Sequence, residues 1–547
     1  MDLFLTIKEI IISSLKKLEI EDSSFVVETP KDKNHGDFAT SVALSLFAKN
    51  KDKFKSPKEF AEKLAEILNN SKNFTKVEVA GAGFINLSIK QNLWNEFLAG
   101  ILKAKANYGK NNLGKNEKIN VEFVSANPTG PMHIGHARGA CVGDAIANIL
   151  DKCGYKVVRE FYINDAGGQV AVLAKSLHLR YREVLGESIT IPEGLYPGEY
   201  LIPVAKKLAK KYGKGLEEND ERIKEFALKE MLLLIKKDLK KLGVEHNVFS
   251  SERAIRKSGK LEEAIKHLEK LGLVYTGTLP PPKGKEMEDW EAEELLLFKS
   301  TQFGDDQDRA LKKRNGDYTY FAPDLAYHFD KYKRGFKKMI LELGSDHRGY
   351  VSRLKSAVLG LSSGKANLEI VLHELVKLYE NGQVLKMSKR SGTFFTLSDL
   401  IKAVGKDAVR FIMLTKKSDQ ILDFDLKKTL EASNENPVFY VQYASARMNS
   451  ILRNAKKLKL NNNLPNFNLI NSKPEIELIK VIANFPKIVQ ASAINLEPHL
   501  ITYYTIDLAT KFHFLWNCGK EDANLHFIQP DNLDLTKARI GLVKASL

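Results

Sequence analysis

Between residues 113 and 433, short apolar runs alternate with longer helical stretches: INVEFV, a helix over 132–150, YKVVREFY, a long helix around 223–242, then KKMILELG and LEIVLHEL. This alternation predicts a doubly wound, Rossmann-like parallel sheet, because parallel strands need helical crossovers and are covered on both faces. The stretch around 180–300 is richer in charge and proline (YPGEYL, LPPPKGKEMEDWEAEE), and reads as an insertion between two halves of that sheet. Its prolines at 280–282 mark a turn.

Regions of different character flank this core. Residues 1–112 mix an amphipathic opening helix, a helix near 57–68 and the strand-like VEVAGAGFINLSI, with Asp37 placed as a helix N-cap before FATSVALSLFA. They are expected to form a small α+β domain, closed by the loop-forming linker KAKANYGKNNLGKNEK. Residues 434–547 turn helical and predict an all-α bundle. A chain of 547 residues is long enough for several cores.

Composition narrows the class. No window approaches the roughly 18 uninterrupted apolar residues of a membrane span, and Lys8 and Glu9 break the one N-terminal run that could pass for a secretion signal. The three cysteines, Cys141, Cys153 and Cys518, form no C-x-x-C pair, so neither disulfides nor a cysteine zinc site is expected. A cytoplasmic protein without membrane attachment is the expectation. The net charge of +16 is spread along the chain and suits a long polyanion.

The chemistry gathers at SANPTGPMHIGHARGA, residues 125–140, where a strand gives way to a helix. A loop in that position leaves the carboxyl edge of the sheet, where open α/β sheets bind ligands. Free backbone N–H groups and the positive end of the helix dipole make the turn an anion site. His133 and His136 add donors on one face of the first turn, and Gly135 between them removes a Cβ, which would admit a flat ring such as a nucleobase. A triphosphate site is therefore expected over Asn127, Pro128, Thr129, Gly130, Pro131, Met132, His133, Ile134, Gly135, His136 and Ala137. An H-x-x-H pair could instead ligate a metal, but no third ligand motif lies near it.

Some 250 residues later comes VLKMSKRSGTFFTL. Lys386 and Lys389 flank Met387 and Ser388, and two ammonium groups on flexible stems suit the β,γ-phosphates of a departing pyrophosphate. Alone, a lysine-rich loop is a solvated surface. Paired with the histidine segment across one α/β region, it becomes the other half of a nucleotide site.

PMHIGH and KMSKR resemble the two signatures of class I aminoacyl-tRNA synthetases, with Arg390 where the general signature has serine. NPTGPMHIGHARGA, FYINDAGGQV, YFAPDLAYHFDKY, LGSDHRGYVSRLK and NPVFYVQYASARMNSIL together resemble bacterial arginyl-tRNA synthetases, and GDFATSVAL and GAGFINL resemble their N-terminal domain. The likeness spans nearly the whole chain. It implies ATP with Mg²⁺, L-arginine and tRNA(Arg) as substrates, no zinc or organic prosthetic group, and catalysis by His133, His136, Lys386 and Lys389.

A pocket for a guanidinium needs a carboxylate in fork geometry and often an aromatic ring, which Tyr320 and Asp324 of YFAPD supply. The resemblance adds Glu122, Asn127 and His347 around the ammonium and carboxylate of arginine. It also implies that adenylate formation requires bound tRNA. Because a wrong amino acid leaves a buried carboxylate unpaired, no editing domain is expected.

Within a helix starting at Pro437, Val441, Ala444, Met448 and Ile451 form a core stripe, with Tyr440, Tyr443 and Arg447 beside it. Two phenols and a guanidinium would stack on splayed anticodon bases. Family members continue beyond ARIGLVKASL through a last helix and a short segment, so either a truncated chain or a divergent end is expected. A monomer is expected. Other readings remain open at this point: a non-catalytic tRNA-binding derivative, a class I synthetase for another amino acid, and a small nucleotidyltransferase.

Overall fold

A computed structural model describes all residues except Met1, Lys31, Lys33, Asn34, 280–293, 386–394, Lys459, Asn461 and Asn462. The turn expected at 280–282 and the lysine loop therefore lie outside the described residues. The chain divides into two units, one of Asn112–Ala432 with Ser492–Thr502, the other of Met1–Asn111, Ser433–Ala491 and Tyr503–Leu547.

The first unit is built on five parallel strands: β1 (Lys118–Glu122), β2 (Lys156–Ile163), β3 (Val248–Ser251), β4 (Lys338–Gly344) and β5 (Asn367–His373). They lie in the order β3-β2-β1-β4-β5. The chain steps outward from β1 to β3, then returns to the other side of β1, so the direction of winding switches between β1 and β4. That crevice is where such sheets place ligands. Ile119, Val121, Met339, Ile340 and Leu341 are buried, as central parallel strands require.

The Ile134–Lys152 helix crosses from β1 to β2 and lies unusually close to the sheet. A Cβ on Gly143 would stand 2.2 Å from Cγ of Phe123, and one on Gly139 would stand 2.8 Å from Oε2 of Glu342. Glycines in a helix interior cost about 1 kcal/mol each relative to alanine, so their place here is steric. They let the helix start directly above the carboxyl ends of β1 and β4.

The inserted mass is two pieces. Helices Gly168–Val184, Leu201–Tyr212 and Glu221–Leu242 fall between β2 and β3, around a core of their own that includes Leu173, Leu177, Tyr181, Leu208 and Phe226. Helices Glu252–Lys257 and Lys260–Lys270, a three-stranded antiparallel sheet and the Phe321–Lys333 helix fall between β3 and β4. The four residues of β3, inside the span read as insertion, complete the main sheet.

In the second unit a four-stranded antiparallel sheet packs with helices Leu3–Lys16, Pro57–Asn69 and Gln91–Ala104. Asp37 does not cap a helix. It precedes the strand Phe38–Thr40, whose side chains are all buried against Ile85–Leu87, and the helix begins later, at Val42. Its carboxylate accepts the Ile89 N–H at 2.9 Å and pairs with Lys480 at 2.8 Å. Helices Pro437–Ala455 and Leu533–Ser546, with Lys473–Asn495 up to Ala491 and His499–Glu521 from Tyr503, belong to the same unit, and one continuous apolar cluster runs through both parts. Tyr108 Oη donates to the Ile482 carbonyl at 2.7 Å within it.

Candidate functional site

β1 ends at Glu122, and the backbone then takes two left-handed steps without glycine, Val124 at φ 71° and Ser125 at φ 33°. A β-branched residue there is strained and persists only when its surroundings over-determine it. The Val124 N–H donates to Glu342 Oε2 at 3.2 Å, Ser125 Oγ donates to Glu122 Oε1 at 3.1 Å, and the Tyr162 N–H donates to Ser125 Oγ at 3.0 Å. Glu342 is itself ion-paired with His373. Burial alone would lower that imidazole's pKa, but the adjacent Glu342 charge more than offsets this and raises it.

The loop that follows is pinned from above. Asn127 donates to Gln169 Oε1 at 3.0 Å, and the Thr129 carbonyl accepts from Tyr200 Oη at 2.6 Å. A Cβ on Gly130 would stand 3.0 Å from that phenol ring. Pro128, Thr129, Pro131, Met132, Ile134 and Ala137 are buried.

The helix begins one residue after His133, which is its N-cap. His133 Nδ1 accepts the Gly135 N–H at 3.2 Å, and His136 Nδ1 accepts the His133 N–H at 3.3 Å. The two rings stack with centroids 3.8 Å apart. With both Nδ1 atoms used as acceptors, a neutral imidazole at either position carries its proton on Nε2, as a donor. The space left by the missing Cβ of Gly135 is taken by the His133 ring, whose Cε1 would stand 3.1 Å from such a Cβ.

Lys386, Met387, Ser388 and Lys389 lie outside the described residues, but both flanks are described. The Leu385 N–H donates to the Leu378 carbonyl at 2.8 Å. On the other side Thr396 forms an antiparallel bridge with His133, and the Leu397 N–H donates to the Met132 carbonyl at 2.8 Å. The segment leaving the lysine loop is thus hydrogen-bonded to the backbone of PMH.

Asp324 sits in the first turn of the Phe321–Lys333 helix. Burial, with Glu252 and Glu122 nearby, pushes its carboxyl pKa up to about 7, against the opposing pull of Arg256 and Arg353. Glu252 is held by Arg256 at 2.6 Å. The Tyr162 hydroxyl is buried without a hydrogen-bond partner, electrostatically coupled to Glu252, Asp324 and Glu122. Tyr320 precedes the helix and is 79% exposed, at the edge of a cavity of about 540 Å³ that Phe321, Tyr350 and Arg353 also line. His347 stands exposed on the turn after β4, 3.6 Å from Asp346. Glu122 is already paired with Lys331, at 2.5 Å.

In the other unit, Ala444, Met448 and Ile451 face the core and Val441 packs at its margin. Tyr443 is exposed, and Arg447 donates to its hydroxyl at 2.7 Å with the guanidinium 4.0 Å from the ring centroid. Arg447 also meets His513 Nδ1 at 3.1 Å, while Tyr440 is half-buried with its ring 4.5 Å from His513.

Three family models cover the chain: "tRNA synthetases class I (R), catalytic domain" over residues 97–452, "Arginyl tRNA synthetase N terminal domain" over 5–89 and "DALR anticodon binding domain" over 441–547. An arginine–tRNA ligase of Wolbachia pipientis wMel is 50% identical over 555 residues, covering 100% of this chain and 96% of the relative. This chain belongs to the class I arginyl-tRNA synthetases. Among solved structures, one described as a putative arginyl-tRNA synthetase from Campylobacter jejuni is 31% identical with a TM-score of 0.72, over 84% of this chain and 96% of that one. The Thermus thermophilus arginyl-tRNA synthetase shares the fold at 21% identity and a TM-score of 0.73, over 99% and 97%. Neither a synthetase for another amino acid nor a non-catalytic derivative is favoured.

Several residues around this synthetase's site escaped the sequence reading. Arg138 is fully buried, donating to the Glu374 carbonyl at 2.8 Å and the Lys417 carbonyl at 3.0 Å, and burial pulls its pKa down to about 10. Its signal was an arginine in an otherwise small and apolar helix, HARGACVGDA. Glu252, Glu342 and Lys331 had none, since each works through a partner distant in sequence or through the folded pocket.

Proposed function

We propose that the site joins ATP and L-arginine as arginyl-adenylate, releasing pyrophosphate, and then transfers the arginyl group to the 3′ end of tRNA(Arg). In the first step the arginine carboxylate attacks the α-phosphate in line with the leaving pyrophosphate. Donors from Nε2 of His133 and His136 stabilise the charge that develops on the α-phosphate oxygens, and Lys386 and Lys389 take the β,γ-phosphates. Mg²⁺ enters with ATP, on phosphate oxygens, as part of the substrate. The loop over Asn127, Pro128, Thr129, Gly130, Pro131 and Met132 and the start of the helix at Ile134, Gly135 and Ala137 form the bed for the nucleotide, together with Met387 and Ser388.

Asp324 receives the guanidinium, with Tyr320 closing over it, and Glu122, Asn127 and His347 serve the α-amino and carboxylate end. A carboxyl held near neutrality by burial and like charge is relieved by an incoming cation, which favours guanidinium over neutral side chains. Tyr440, Tyr443 and Arg447 contact the anticodon arm, and the enzyme works in the cytoplasm as a monomer.

The observation that carries this reading is the backbone junction of Met132 and His133 with Thr396 and Leu397, which brings the exit of the lysine segment to the histidine turn. Amino-acid-dependent pyrophosphate exchange, run with each of the twenty amino acids with and without total tRNA, tests it. Signal is expected with arginine alone, and only when tRNA is present. Exchange with a different amino acid would overturn the specificity.

A further inference from the structure

The Phe321–Lys333 helix carries more than Asp324. Seven residues on, about two turns along the same helix, Lys331 is fully buried, its Nζ 2.5 Å from Glu122 Oε2 and 4.3 Å from the centroid of the Tyr327 ring. A buried ion pair is a poor stabilising device, because replacing both members by apolar groups is often neutral or favourable. What the pair does provide is orientation.

Glu122 is gripped at both oxygens. Oε2 faces Lys331, and Oε1 accepts from Ser125 Oγ at 3.1 Å, where Ser125 is fixed by the left-handed turn after β1. A carboxylate offers about four lone-pair sites, so capacity remains for the N–H groups of a ligand. The helix that grips Glu122 through Lys331 is the one that presents Asp324, so a single rigid element sets the spacing between the two acidic ends of the pocket.

We infer that Lys331 is a positioning residue for arginine, holding the Glu122 carboxylate toward the α-ammonium while the same helix offers Asp324 to the guanidinium. This rests on the assignment of Glu122 to the ammonium end. In the absence of Lys331, Glu122 keeps only the Ser125 hydroxyl of these two partners, and turns away or takes up a proton.

The test uses the full chain in tRNA-supported pyrophosphate exchange. K331M raises KM for arginine at least tenfold with KM for ATP within twofold, and K331R recovers most of the loss. The competitive inhibitor 5-guanidinopentanoate, which has the guanidinium and carboxylate but no α-ammonium, keeps its inhibition constant within threefold in K331M. Equal losses for arginine and this analogue, or an unchanged arginine KM in folded K331M, would overturn the inference.

K331M leaves a buried carboxylate without its ammonium, so melting temperatures are read in parallel, and the double variant E122Q/K331M supplies a neutral pair. It is expected to regain stability but not arginine KM. Recovery of both would reduce Lys331 to charge compensation and sink the positioning role. E122Q alone separates the two levels. An unchanged KM there overturns the assignment of Glu122 itself, whereas a raised KM in E122Q beside an unchanged one in K331M overturns only Lys331.

Discussion

Asp324 holds its proton more tightly folded than unfolded, because burial and the nearby Glu252 and Glu122 disfavour its charge. The sign follows. As pH rises from the ordinary carboxylate range to about 7, this group costs stability, and on the proposed assignment bound arginine is expected to restore it. KM for arginine is therefore expected to fall between pH 6 and 8 and level off above, and the melting-temperature gain from saturating arginine is expected to grow over the same interval. Asp324→Asn removes both dependences and weakens arginine by about 2–4 kcal/mol, read from KM. At the histidine turn, two roles separate by substitution. His133→Asn keeps an N-cap acceptor and hence most of the stability, but it lacks the imidazole donor, so kcat for adenylate formation is expected to drop about 10²-fold in single-turnover assays. The placement of both histidines at a strand-to-helix turn was legible in sequence, because their spacing is local. Lys331 was not, since the residue that explains it stands 209 positions away.

At the scale of elements, the Ile134–Lys152 helix owes its seat to glycines. Gly143→Ala is expected to destabilise by about 1–3 kcal/mol in urea titrations, because the new methyl group meets Phe123 beneath it and overrides the gain in helix propensity. The alternation of strand and helix made the parallel sheet readable, and the helix start was misplaced by only two residues, since a capping histidine looks helical in sequence. β3 was hidden: four residues with partly exposed side chains carry too little periodicity to stand out inside a charged stretch. Asp37 misled for the opposite reason. A capping residue was present, but the apolar run behind it first pairs as a strand, whose partner Ile85–Leu87 lies more than forty residues on.

At the scale of the whole chain, one of the two units is organised around an arrangement that local pattern could not announce, the core shared by the first hundred residues and roughly the last hundred. No periodicity reports on contacts of that range. Tyr108→Phe should cost about 1 kcal/mol in global unfolding of this unit, by loss of its bond to the Ile482 carbonyl, while leaving arginine activation untouched. The same arrangement has a consequence for how the protein is made. Residues 1–111 leave the ribosome before some 320 further residues have been translated, and only then do the helices that share their apolar core begin to emerge. At about 5–20 residues per second, the nascent segment waits about 15–65 s with that surface uncovered. Apolar surface exposed for that long is aggregation-prone, the condition under which chaperones act.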